Sequence, residues 1–211
     1  NEPVSVMVRS GKYYLEDPLV LGPRDSGTRD CPVTYTAYPD EKPVLSGGRK
    51  VRGWKPYKDK ILQCPLPGTK GGKWKFRQLF LNGQRQIRAR FPKFDPDKPL
   101  YGGWAFTESL DEAARYDAFK YNPGIFPRHW EKPTEGEVYL VHNYGVTNIM
   151  PIKAIDEENC VITLVNRVIS HEIYPWYIKT AIASNYRFYV ENVLEELGQP
   201  GEWCVDSEEG I

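Results

Sequence analysis

The sequence predicts a mainly β protein with little helix, in which short stacked strands lead into an antiparallel β domain. Three observations carry this. Residues Val4 to Gly48 hold short β-prone runs at close, fairly regular intervals, separated by turn residues. Aromatic residues make up 13% of the chain and are accompanied by 18 Gly and 18 Pro, the composition of a turn-rich β protein. Nothing in the opening stretch is long enough or helically periodic enough for a helix.

The elements follow in order. Val4–Val8, Tyr13–Leu15, Leu19–Leu21, Val33–Ala37 and Val44–Leu45 are each too short to bury a face alone. They must stack on one another, as the first coils of a solenoid do. The character changes at Val51. Val51–Trp54 and Ile61–Cys64 are expected to pair as antiparallel strands across a lysine-rich turn, and Lys70–Lys73 makes a flexible turn. Phe76–Arg85 reads as a hairpin, because Asn82-Gly83 sits between β-prone runs and both residues tolerate positive φ. The strand continues through Gln86–Pro92. Residues 92–133 are loop-rich. Ser109–Tyr116 predicts one short helix, with Ser109 at its N-cap and Glu112 completing a capping box. Glu137–Val141, Ile149–Ile155 and Val161–Val165 read as strands, with Asp156–Asn159 as the turn between the last two. This is the pattern of a small antiparallel β-sandwich or barrel. Val190–Leu197 predicts one or two helical turns stopped by Gly198 and Pro200. Glu202–Val205 is a short strand and Asp206–Gly210 a turn. Ile211 then stands where a further strand is expected to begin.

Composition narrows the function. Lys plus Arg equals Asp plus Glu at 28 each, so the formal charge is zero and nucleic acid is not the expected partner. No run approaches the ~18 apolar residues of a membrane span. Cys31, Cys64, Cys160 and Cys204 form no CxxC pair and have no histidine at zinc spacing, so neither a metal nor a cofactor is expected. Two disulfides or four buried thiols both fit. No phosphate loop, Ser-His-Asp order or HExxH motif is present. Neutral β proteins rich in aromatics suit sugars, because a flat ring covers the apolar face of a pyranose.

Several residues are candidates for such a site. Glycoside hydrolysis needs two carboxylates, about 5–5.5 Å apart for retention and about 6.5–9.5 Å for inversion. Glu202, between Gly201 and Trp203, is the catalytic candidate: an acid beside a tryptophan can have the raised pKa of a general acid. An ion pair on a strand face is its competing role. Asp25 reads as a turn residue, and Glu191, Glu195 and Glu196 as a solvated helical face. Arg77, Arg85, Arg88 and Arg90 cluster about the hairpin. Arg88 and Arg90 are two apart, so in a strand they share a face able to grip a uronate carboxylate; salt bridging within the protein is the alternative. His142 and Tyr144 follow a strand, and His171-Glu172 lies near Tyr174, Trp176 and Tyr177. Arg88, Arg90, Trp104, His142, Tyr144 and Trp176 are the expected substrate-binding residues.

A family resemblance adds to this. DSGT at Asp25–Thr28, PVTYTAYPDEKPVLSGG at Pro32–Gly48, GW at Gly53-Trp54, RQLFLNGQR at Arg77–Arg85, RARFP at Arg88–Pro92 and YVENVLEELGQPGEW at Tyr189–Trp203 occur in this order. Together they resemble the N-terminal part of secreted right-handed parallel β-helix proteins of the glycoside hydrolase family 141 type. The resemblance implies that residues 1–50 are the first coils of a β-helix. It makes residues 51–185 an inserted β-sandwich-like domain and residues 186–211 the return to the helix. It implies a secreted, monomeric chain that continues beyond Ile211 and acts on pectin- or xylan-type polysaccharide, with its catalytic carboxylates in later coils. A glycan-binding or β-helix-capping module is the alternative.

Overall fold

A computed structural model describes residues 2–110, 116–142, 146–168 and 181–211. The fold is mainly β, and among the described residues helix is confined to short 3-10 turns. The chain divides into two compact units, Asn1–Cys64 and Pro65–Ile211. The expected helix around Ser109–Tyr116 lies mostly outside the described residues, as do Tyr144 and the whole 169–180 stretch with Trp176.

In the first unit, β1 (Val4–Val8) pairs in parallel with β3 (Val33–Ala37), and β2 (Lys12–Tyr14) pairs in parallel with β4 (Val44–Ser46). The order is therefore one short strand, a second, and then a partner laid beside each in turn. Leu19–Leu21, expected as a strand, joins no ladder: Pro18 and Pro23 bracket it, and a 3-10 turn follows at Pro23–Asp25. Asp25 accepts a hydrogen bond from the Gly22 N–H at 2.7 Å and closes that turn. β5 (Lys55–Pro56) and β6 (Leu62–Gln63) pair antiparallel; the second strand falls within the expected Ile61–Cys64, while the first lies just after the expected Val51–Trp54, which joins no ladder. Among the described residues of this unit Cys64 alone is buried. Val4, Val6, Tyr35 and Leu45 stay exposed on their short ladders.

In the second unit a 3-10 turn at Lys70–Gly72 precedes the predicted hairpin, β7 (Phe80–Leu81) and β8 (Gln84–Arg85). Its turn residues Asn82 and Gly83 have φ of 52° and 82°, the positive pair that a type I′ turn requires. β9 (Ile87–Arg88) runs parallel to β17 (Glu202–Trp203). β10 (Arg90–Phe91), β11 (Ala105–Glu108), β12 (Ala118–Tyr121), β13 (Glu137–Val141), β14 (Thr147–Asp156), β15 (Val161–Leu164) and β16 (Arg187–Glu191) form a seven-stranded sheet in the order β10-β16-β11-β12-β15-β14-β13. β13 also pairs with β16, so the sheet closes on itself.

Two strands make the corners. Thr147–Pro151 of β14 pairs with β13, and Ile152–Asp156 pairs with β15, with a register shift between Ile152 and Ala154. β11 does the same, with Ala105-Phe106 on β16 and Thr107-Glu108 on β12. Strands that change partners along their length in this way turn two faces into one closed barrel. Val138, Leu140, Met150, Ile152, Phe119, Ile162, Leu164, Phe188 and Val190 fill it, each at most 2% exposed. The alternation Glu-Val-Tyr-Leu-Val in β13 and Arg-Phe-Tyr-Val-Glu in β16 explains which way each residue faces.

The helical expectation for Val190–Leu197 is corrected. Val190 and Glu191 continue β16, whose period is two, and only Leu194–Glu196 makes a 3-10 turn. Asn192, at φ 67°, ends the strand between them. All four cysteines are free thiols. Burial pushes the thiol of the partly exposed Cys204 up to about 12, against the opposing charge of Arg88.

Candidate functional site: an aromatic and arginine-rich barrel face

The outward residues of β13 and β16 oppose one another in register: Glu137 with Glu191, Tyr139 with Tyr189, Val141 with Arg187. Each pair does something different. The Tyr139 and Tyr189 rings stack at 4.6 Å with an interplanar angle of 9°. Trp104, just before β11, lies 5.3 Å from Tyr189 and 6.0 Å from Tyr139. Two guanidiniums complete the group. Arg90 sits 3.5 Å from the Tyr189 centroid, and Arg187 sits 5.2 Å from the Trp104 centroid. Burial, reinforced by the Glu191 charge, keeps the Tyr189 hydroxyl protonated well above its ordinary range.

The loop before β11 is tied down from this face. Arg90 donates to the carbonyls of Pro92 and Gly103, and Arg187 donates to the Leu100 carbonyl at 3.0 Å. Gly103 has φ 68°, and a Cβ there would strike the Lys93 carbonyl, so glycine is required at this position. The anchored loop leaves Tyr101 81% exposed, and Phe106, opposite Arg187 on β11, 44% exposed. Exposed aromatic side chains thus stand near Arg187, an arrangement suited to a ring that carries an apolar face and a negative group.

Beside the aromatics lies an ion network. Glu137 and Glu191 are like charges directly opposite across a ladder, which is unfavourable unless a cation stands between them. Arg88 is that cation, with one Nη1 donating to Glu137 and also to Glu191 at 3.0 Å. Arg77 adds a bidentate grip on Glu137 at 2.6 and 3.0 Å. Burial would raise the Glu137 carboxyl, but the Arg77 hydrogen bonds and the Arg88 charge outweigh it and hold it below the ordinary carboxylate value. A lowered pKa in the fold gives stability that is present above the unfolded carboxylate range and is lost as pH falls through the folded value. Urea unfolding followed across acid pH is therefore expected to show the midpoint falling below that range, and E137Q is expected to flatten the fall.

The structure thus brings Arg88, Arg90 and Trp104 together on one face, with the guanidiniums engaged by protein partners. His142 is buried on the inner side of the barrel, its ring 4.8 Å from Tyr186. Tyr144 and Trp176 are outside the described residues. The Glu202 carboxylate accepts from Lys93 Nζ at 3.0 and 3.2 Å and from the backbone N–H groups of Gly198 and Gln199 at 2.8 and 3.0 Å. That arrangement closes the turn ahead of β17. Glu196 is 2% exposed and accepts from the Trp130 indole N–H at 3.0 Å. Tyr101, Phe106, Tyr139, Arg187 and Tyr189 belong to the face and escaped the sequence reading. For Tyr139, Arg187 and Tyr189 the local signal is the period-two alternation of β13 and β16; Tyr101 and Phe106 have none. Among the described residues no group of three or more His, Cys, Asp or Glu is placed to hold a metal ion. No helix among them is long and apolar enough to cross a membrane.

No family model matches the chain, and no curated protein matches it. A solved structure does: a glycoside hydrolase, with a TM-score of 0.71 and 26% sequence identity over 98% of this chain. The chain has a glycoside hydrolase-like fold, and it spans 35% of the length of that protein. The similarity runs through both compact units.

Proposed function

We propose that this chain is a segment of a glycoside hydrolase in which residues of the first unit begin a right-handed parallel β-helix and the barrel presents an acidic-glycan-binding face. The likeness to a glycoside hydrolase over 98% of the chain carries the reading. The ladders β1–β3 and β2–β4, laid down one after the other, are the pairing that successive coils of such a helix make. Exposed Val4, Val6, Tyr35 and Leu45 offer further strands an apolar surface to cover.

The substrate is a secreted enzyme's plant cell-wall polysaccharide of pectin or xylan type, bearing uronic acid. Tyr101 and Phe106 present ring surface to a pyranose, Trp104 backs them, and Arg187 pairs with the uronate. Arg90 reinforces the positive field from beneath Tyr189. Among the described residues four carboxylates with little exposure serve the fold: Glu137 and Glu191 bind arginines, Glu202 binds Lys93, and Glu196 binds Trp130. The catalytic pair is assigned to later coils of the β-helix, a reading supported by the 35% share of the matched hydrolase that this chain spans. Reducing-sugar release from pectic and xylan oligosaccharides tests this. The 211-residue chain is expected to give none, and a chain with the full length of the matched hydrolase is expected to give turnover. Turnover by the short chain would refute the assignment.

A further inference from the structure

A concavity that shares no lining residue with the aromatic face lies around the β14–β15 turn. It has a volume of about 290 Å³ and is lined by Tyr121 of β12, by Ile155, Glu157 and Cys160 of the turn region, and by the Gly124–Pro133 loop. Its apolar wall is built from rings locked against one another. Phe126 packs 4.6 Å from Tyr121 and 4.5 Å from Trp130, and Trp130 is held by the buried Glu196. Its rim carries opposite charges: Arg128, which donates to the Glu195 carbonyl at 3.0 Å and stands 3.6 Å from the Glu196 carboxylate, and Glu157, whose carboxylate meets His129 Nδ1 at 2.6 Å. The Arg128, His129 and Glu157 side chains are all more than half exposed, so they keep capacity for a ligand.

We infer that this pocket binds one neutral pyranose-sized ring. The size sits at the lower end of small-molecule pockets, enough for a single ring and too little for an internal stretch of polymer. The chemistry selects the class. A hydroxyl both donates and accepts, and the rim offers donors on Arg128 and acceptors on Glu157. A carboxylate ligand would meet Glu157, and a cationic one would meet Arg128. The aromatic wall suits the apolar face of the ring. The pocket then holds a chain end or a single-sugar branch, whereas the barrel face holds the acidic stretch. The inference takes from the carbohydrate reading only the choice of probes, and it depends on no residue of that face.

The test titrates methyl glycosides of neutral hexoses and pentoses, and in parallel methyl galacturonoside, into the chain. It reads the amide signals of Gly124, His129 and Glu157 by NMR. At least one neutral glycoside is expected to bind with a dissociation constant of about 1 mM. Arg128→Ala and Glu157→Gln, both on exposed side chains, are each expected to weaken it about tenfold, while Arg187→Ala leaves it unchanged. A pocket that responds only to the galacturonoside, or to no glycoside at all, overturns the inference. Because Arg187 and Trp104 are untouched, failure here leaves the barrel-face reading intact.

Discussion

Arg88→Ala is expected to destabilise the barrel by about 3–5 kcal/mol, the range for removing one partner of a buried ion pair. The side chain is 10% exposed and bridges Glu137 and Glu191, which are 16% and 12% exposed. Without it, two carboxylates face each other across the β13–β16 ladder with Arg77 reaching only one. Arg88→Lys keeps the charge but loses the fork that also reaches the Asn192 side chain at 3.3 Å, so it should fall between alanine and the native protein. Adding E137Q and E191Q to Arg88→Ala should recover most of the loss, because neutral amides do not repel. Urea unfolding of the series decides it. No rescue by the double amide would mean that packing of Arg88, and not its charge, is what matters.

Asn192→Ala is expected to lose about 3 kcal/mol, from a left-handed backbone position given to a residue with a Cβ and from buried partners left unpaired. Asn192 has φ 67°. Its side chain accepts from the Val205 N–H at 2.8 Å and donates to the carbonyls of Glu135 and Val205 at 2.8 and 2.9 Å. Its backbone N–H donates to Ala89 at 2.8 Å. One residue therefore ties the end of β16 to the β9–β10 junction, the turn before β13 and the segment after β17. Asn192→Gly separates the two causes: glycine accepts the backbone but not the hydrogen bonds, so it should recover only part of the loss. Equal thermal stability for the alanine and glycine variants would assign the whole effect to the side-chain bonds.

Local chemistry made much of the fold legible. Asn82-Gly83 names its own turn, and the alternation in Glu137–Val141 fixes a strand whose ends match expectation. The antiparallel character of the Glu137–Leu164 region was also readable. Closure into a barrel was not, because it depends on β16 finding β13, β10 and β11, and no local signal encodes those partners. The same reason hid the site. Tyr139 and Tyr189 look like ordinary strand aromatics until the register puts them opposite one another. Arg88 and Arg90 were identifiable as a pair two residues apart. Their separate duties, one to carboxylates and one to aromatic rings, emerge only from the strands that flank them. Asn192 was invisible because a helical reading of Val190–Leu197 passed through it, whereas its positive φ ends the strand there.

The acidic-glycan face is tested most directly by calorimetric titration of the chain with an oligogalacturonide and with a neutral xylo-oligosaccharide of equal length. The oligogalacturonide is expected to bind more tightly and to weaken with added salt, as a guanidinium–carboxylate contact at an exposed rim must. Trp104→Ala and Arg187→Ala are each expected to weaken it by at least about tenfold. No heat from the acidic oligosaccharide, or an affinity that both substitutions leave unchanged, would contradict the account.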